Sequence, residues 1–375
     1  MSGDLTIPPE ELRAFSVPHA VRLVGEYAHL VGTGAMAFAC GPRVHVLVKE
    51  SADEFALRIG PGEHDADVLA DFAGRWRRVL GELAVPDPEL LEGMEVTVDF
   101  GRLAEWIPTA VLLSTPALGV ALAVAATSRR GQRTWNESEL AELAGSLCHG
   151  VIGGPMGDTG RHYVEAVISL IGGASYVEPG RERLNVQQLL PPQSLLLALS
   201  PDPASSAVER CPDEPMLRAL ALTQQGGHNV LAGGEEGTAA LFALPEGYLD
   251  EGQTTMLYGA LRVREMTQSL LESIGDPLAD NDRLAEVCDE ESAILGDYFG
   301  FPRAAYAGVI ATAAEVGAVG ARLTWAFGAC PAAVIIAPGA RAEVASALAD
   351  EFPGMLLLPL DVEPFGLLSD DGEEG

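Results

Sequence analysis

Residues 17–48 read VPHAVRLVGEYAHLVGTGAMAFACGPRVHVLV, a pattern of strand, tight polar turn and strand. Val21, Leu23 and Val24 form an extended apolar run, Gly25-Glu26 interrupts it, and Gly32 and Gly34 let the chain fold back. A second apolar run ends in the alternation Val44, Val46, Val48, the period of a strand with one buried face. Glu26 and His29 sit at the turn. There they form either a solvated hairpin tip or a polar group set presented to a cleft.

Outward from this hairpin, strand and helix patterns intermix. Strands are predicted at 55–59, 93–100, 195–199, 332–337 and 355–360, with a further strand in 172–180. Helical spacing covers 67–83, where Leu69, Phe72, Trp76 and Val79 recur on one face, and also 114–126, 137–147, 162–170, 217–225, 255–274, 283–295 and 341–351. Residues 201–215, rich in Pro, Ser and charge, read as the loosest segment, and 233–237 as a mobile loop. The acidic end, from about 368, reads as a disordered tail.

A chain of 375 residues suggests two domains with a substantial core, and apolar content near half fits a soluble globular protein. The formal charge of −31 disfavours nucleic acid and anionic membrane as partners. Lys49 is the single lysine against 22 arginines, so a cation in any phosphate site must be an Arg, a backbone N–H or a metal. Five scattered cysteines include no C-x-x-C pair, which fits a reducing cytoplasm better than a metal cluster or a disulfide framework. The N-terminus has no apolar core of a signal peptide, and the apolar run at 112–126 is interrupted by Ser114, Thr115 and Pro116 and falls short of about 20 residues, so a buried helix is expected rather than a membrane span.

Four later stretches carry chemistry. Residues 108–117 are PTAVLLSTPA, 149–165 are HGVIGGPMGDTGRHYVE, 288–302 are CDEESAILGDYFGFP, and 319–330 are VGARLTWAFGAC. With VPHAVRLVGEYAHL at 17–30 they resemble, in order, the signatures of the galactokinase-type GHMP small-molecule kinases. The family form of the first is close to A-P-G-R-V-N-L-I-G-E-H-T-D-Y. Pro18, Val21, Leu23, Gly25 and Glu26 match, whereas His19 stands for Gly, Ala20 for Arg, Arg22 for Asn, Tyr27 for His and His29 for a sugar-binding Asp.

The family's phosphate loop, close to P-x-G-x-G-L-S-S-S-A, is matched by Leu113, Ser114, Thr115 and Ala117, with Val111 and Leu112 where close backbone approach to phosphate requires glycine. The other reading of this stretch is an ordinary helix start, with Ser114 as the N-cap and Pro116 in the first turn. In the region that resembles G-V-P-C-G-I-M-D-Q, the catalytic Asp falls on Gly160; Asp158 lies two residues earlier and Glu165 five later, and Asp158 is alternatively the N-cap of helix 162–170. His162, with no second His or Cys at ligand spacing, reads as a surface or cleft histidine. The last signature is similar to G-A-R-L-T-G-G-G-F-G-G-C. Gly320 to Thr324 match outright and Phe327, Gly328 and Cys330 match after one deletion, while Trp325 replaces a glycine and brings a ring into the space a nucleotide or sugar needs.

The resemblance implies an α+β, two-domain GHMP-kinase fold. Its N-terminal domain (1–190) is ribosomal-protein-S5-domain-2-like and its C-terminal domain (191–375) a ferredoxin-like α+β domain, with the site between them. For an active enzyme it implies ATP and Mg as cofactors and a small-molecule sugar as substrate. Asp158, Glu165 and Arg161 would then serve catalysis, Glu26, Tyr27, His29 and Trp325 the sugar, Ser114, Thr115, Thr324, Phe327 and Gly328 the nucleotide, and Ser114 and Glu26 the metal. Because the phosphate glycines, the first-motif Arg and the strict Asp are missing, the expectation is a binding or regulatory protein, weak or inactive as a kinase, with an unknown protein partner and no cofactor. The alternative is an active ATP-dependent sugar kinase. A third is a cleft rebuilt for another small ligand, lined by His29, His162 and Trp325.

Overall fold

The computed structural model describes residues 14–50, 56–60, 66–82, 94–105, 107, 109–113, 115–128, 137–151, 162–178, 185–189, 194–200, 213–231, 235–273, 281–327 and 330–369. The opening hairpin is β1 (Ala14–Val24) and β2 (Ala35–Glu50), joined through a 3-10 turn at Ala28–Val31. The first half continues with β3 (Ala56–Gly60), α1 (Ala66–Glu82), β4 (Met94–Asp99), a 3-10 turn at Gly101–Glu105, the single-turn α2 (Thr109–Leu112), α3 (Pro116–Ser128), α4 (Glu137–Val151), α5 (His162–Ile171), β5 (Ala174–Glu178) and β6 (Asn185–Leu189). The second half runs β7 (Leu195–Leu199), α6 (Asp213–Gln225), α7 (Glu235–Phe242), α8 (Glu251–Ser273), α9 (Asn281–Phe299), α10 (Arg303–Glu315), β8 (Gly320–Ala326), β9 (Cys330–Ile336), α11 (Arg341–Glu351), β10 (Leu356–Leu360) and β11 (Leu368–Ser369).

Two sheets organise the molecule. The first has the order β11-β1-β2-β4-β3, with β5 on β2 and β6 on β5. Among the described residues, only β3 and β4 pair in parallel. Strand β2 is long enough to hold two neighbours on one edge, β5 at Ala35–Phe38 and β4 at His45–Glu50. The second sheet is antiparallel with the order β10-β7-β9-β8. Helices connect β7 to β8 and β9 to β10, so this is a βαββαβ unit of ferredoxin-like topology.

Helices α3 and α5 pack on the first sheet, with α4 against both. Helix α3 is apolar all round and is buried from Thr115 to Ala125, as a helix enclosed on every side requires. The apolar run at 112–126 is thus core, and among the described residues no helix is long and apolar enough to cross a membrane.

Four sequence expectations need correction or completion. Glu235–Gly237, expected in a mobile loop, open α7. Helix α10 was not anticipated, because its buried face (Tyr306, Val309, Ala313) is hidden among equally apolar alanines. Strand β6 escaped notice as well, its NVQQL sequence offering little apolar signal. Leu368 and Ser369, placed in the tail, instead pair with Ser16 and Phe15, and residues 370–375 lie outside the described residues.

Candidate functional site

The turn between β1 and β2 is gripped from the second half of the chain. Gly25 has φ +96°, and a Cβ there would run into Ala35, so glycine is required for the hairpin to close. The freed backbone groups are then met from α9: Glu291 accepts the N–H of Gly25 at 3.1 Å and of Glu26 at 2.7 Å. Helix α8 adds Arg264, which donates to the carbonyl of Val31 at 3.0 Å.

Around this turn five charged side chains form one chain of contacts. Arg22 of β1 donates to Glu165 of α5 at 2.7 Å and lies 3.7 Å from Glu26. Arg322 of β8 meets Glu26 at 3.2 Å and Glu291 at 3.0 Å, and donates to the carbonyl of Arg22 at 2.6 Å. Thr324 completes it, its hydroxyl shared between the Arg22 carbonyl and Glu26. Nδ1 of His29 lies 3.4 Å from Arg22. None of the five charged side chains is more than 9% exposed. A buried network of this kind adds little net stability over apolar packing, yet its partners cannot be removed singly without leaving a bare charge.

Three carboxylates face two guanidiniums. Burial pushes the Glu165 carboxyl above the usual 4.5; Arg22 opposes this and Glu26 reinforces it. Glu291 is raised by burial too, against the pull of Arg322 and the two backbone N–H groups. A carboxyl raised in the folded state stabilises the fold below its unfolded value, and that contribution is lost as pH rises through the folded value. The stability of the native chain relative to Glu165→Gln should therefore fall as pH rises above 4.5 and then level off. Urea titrations of both proteins between acid and neutral pH measure this; a difference that is flat or rises with pH would contradict it.

An aromatic cluster closes the outer side of the turn. Tyr27, at φ 62°, stacks on Phe299 with ring centroids 4.5 Å apart, and its hydroxyl accepts from Trp325 Nε1 at 3.0 Å. The Trp325 ring meets Phe301 edge-on at 5.0 Å. Phe327, at φ 52° in the β8–β9 turn, packs against the ring of His19 at 4.9 Å. Burial lowers the His19 pKa to about 3, so this imidazole is neutral.

The start of α3 uses its own donors. Thr115 caps the described helix: its Oγ1 accepts the Leu118 N–H at 3.3 Å and donates to the Leu112 carbonyl at 2.9 Å. In place of a glycine loop there is α2, and the N–H groups of Leu113 and Thr115 bond the carbonyls of Thr109 and Leu112. Those groups are not turned toward a phosphate. Glu26 fits a metal no better, since its two oxygens lie against Arg22 and Arg322, and among the described residues no group of three or more His, Cys, Asp or Glu is arranged to hold an ion. Just beyond β4, a cavity of about 570 Å³ is lined by Glu105 and Ile107, the ends of β7 and β9, and residues 353–357.

The structure thus brings together Glu26, Tyr27, His29, Glu165, Thr324 and Trp325, with Phe327 against His19 and Thr115 apart as a cap. Ser114, Asp158, Arg161 and Gly328 lie outside the described residues. Arg22, Glu291 and Arg322 were assigned no role from sequence. Glu291 had a readable signal: it stands three or four residues from Val287, Cys288, Ile294 and Leu295, on the buried face of α9. Arg22, alternating with Ala20 and Val24 inside an apolar strand, had another.

The two sheets and the βαββαβ second half give this chain the fold of solved galactokinase and mevalonate kinase structures. Among solved structures, galactokinase of Lactococcus lactis complexed with galactose is similar with a TM-score of 0.69 at 15% identity, over 96% of each chain. L. major mevalonate kinase in complex with R-mevalonate is similar at 0.58 and 14%, over 97% of this chain and 99% of its own. Mevalonate diphosphate decarboxylase from Staphylococcus aureus gives 0.57 and 13%, over 96% and 97%. No family model matches the sequence, and no curated protein matches it either.

Proposed function

We propose that this chain is a GHMP-fold binding or regulatory protein, weak or inactive as a kinase, which uses the inherited cleft or its surface for recognition. The observation that carries this reading is the buried charge chain. Glu26, which the resemblance assigns to sugar and metal, and Glu165, which it assigns to proton transfer, both engage arginines of the same chain. Phosphoryl transfer depends on charged groups free to position and stabilise the phosphates. The internal bonding of the Leu113 and Thr115 N–H groups supports the same reading. The free thiols of Cys40, Cys288 and Cys330 fit a reducing, cytoplasmic setting.

One observation favours the second reading, an ATP-dependent sugar kinase. Glu165 is the least buried carboxyl of the network, at 9% exposed, and from that end a carboxyl can accept a proton from a hydroxyl. Thermal unfolding and calorimetry with ATP–Mg, with and without galactose and other sugars, separate the two. The first reading expects no rise in Tm at millimolar ATP. A sugar-linked rise, which mass action requires of a bound nucleotide, would overturn it and make Glu165→Ala the next variant to assay for phosphoryl transfer.

A further inference from the structure

The face formed by α7, α8 and α9 carries a row of three aromatic rings. Phe242 of α7 lies 5.4 Å from Tyr258 of α8, and Tyr258 lies 5.6 Å from Tyr298 of α9, centroid to centroid. Gly259 lets the row close up, since a Cβ there would collide with the Tyr298 side chain. Phe242 is 65% exposed and both tyrosines are part-exposed, so folding leaves these rings facing water. A lone exposed ring calls for no explanation, but a contiguous aromatic row with a polar border marks an interaction site.

Carboxylates form that border. Glu251 and Glu265 stand seven residues to either side of Tyr258, on its own face of α8. Glu246 follows Phe242 and Asp297 precedes Tyr298, and both are exposed. Arg262 and Arg283 of the same helices each hold a carboxylate already, Glu290 and Glu286, at 2.9 Å. The face is thus aromatic at its centre and acidic at its rim. A guanidinium suits both, because its plane lies on a ring and its N–H fork pairs with carboxylates. A second copy of the chain would instead set one acidic rim against another, in molecules of charge −31 each.

We propose that the row Phe242, Tyr258 and Tyr298 is the docking surface for an arginine-bearing segment of a protein partner. The guanidinium stacks on the rings, while Glu251, Glu265 and Asp297 draw the segment in. The proposal rests on the binding reading above and names the chemistry of the partner. The row ends one residue before Phe299, which stacks on Tyr27, so the surface adjoins the gripped turn.

The full chain is titrated by calorimetry, at about 0.15 M salt to screen diffuse attraction, with an eight-residue peptide of alternating arginine and glycine and with its lysine and glutamate counterparts. The arginine peptide should bind tightest and the glutamate peptide not at all. Phe242→Ala and Tyr258→Ala should each weaken the arginine peptide about two- to fivefold and leave the lysine peptide nearly unchanged, and Phe242→Trp should restore or strengthen it. Because Phe242 is so exposed, its variants should keep the native Tm, which separates lost docking from lost folding. Arginine and lysine peptides that bind alike, with no response to Phe242→Ala, would reduce the effect to net charge and overturn the proposal. Silence of all three peptides would overturn it too, as would a dimer in sedimentation that Phe242→Ala dissolves, which would make a second copy the occupant. ATP–Mg binding beside an intact, ring-dependent arginine preference would defeat only the reading of a lost kinase.

Discussion

Replacing Arg322 by methionine should lower the stability of the chain by about 3–5 kcal/mol. The side chain is wholly buried, and it contacts Glu26, Glu291 and the Arg22 carbonyl at once. Methionine fills much of the same volume, so the loss comes from charge: two carboxylates are left facing each other without water and with Arg22 on one side only. Typical domains are stable by about 5–15 kcal/mol, so the change removes a large share. Equilibrium unfolding in urea reads it as a lower midpoint at unchanged slope. Removing a carboxylate in the same protein, as in Arg322→Met with Glu291→Met, should restore part of the loss, since contacting residues do not add. A loss below about 1 kcal/mol would mean that the network is hydrated in solution. The cleft would then be open, and the reading of a closed, non-catalytic site would fail with it.

Gly172→Ala should cost about 2–4 kcal/mol, from two sources that compound. Gly172 has φ +76°, where a Cβ is strained, and the added atom would meet the backbone of Phe365 and Gly366. Those two residues belong to the returning C-terminal segment. That segment is held by the Glu363 N–H on Ala39 at 2.8 Å, the Gly173 N–H on Glu363 at 2.7 Å, the Leu367 N–H on Leu170 at 3.0 Å, and Arg43 on the Phe365 carbonyl at 3.0 Å. The substitution should loosen this segment before it unfolds the rest, so limited proteolysis should cut residues 361–369 at denaturant concentrations that leave α3 and α5 protected. Unchanged cleavage and unchanged midpoint would show that the segment does not pack there in solution.

The hairpin was legible because its information is local: glycines where the chain must reverse, and a period of two where one face is buried. The turn's burial was not legible, because Glu291, Arg264 and Arg322, which close it, come from the far half of the chain. Sequence placed Glu26 correctly at a turn and left open whether that turn met water or a cleft; the structure gives it two arginines instead. Thr115 shows the converse. The sequence placed the N-cap at Ser114, which lies outside the described residues, and among those described it is the Thr115 hydroxyl that caps α3. The Trp325 replacement was readable as an added ring, but its partner Tyr27, itself in place of a family His, became evident only when the two side chains met.

Strand β11 has a consequence for how the molecule is held together. The last described residues lie beside the first, on the edge of β1, after the chain has completed the whole of the second sheet. The two sheets are therefore threaded like a loop tied back to its own beginning. A nick between β6 and β7 would not separate them, because the fragment that begins at β7 still contributes a strand to the first sheet. A fragment that ends before β7 lacks the strand that lies on the edge of β1. Partners or ligands that pull on the C-terminal end pull directly on the strand that carries Arg22.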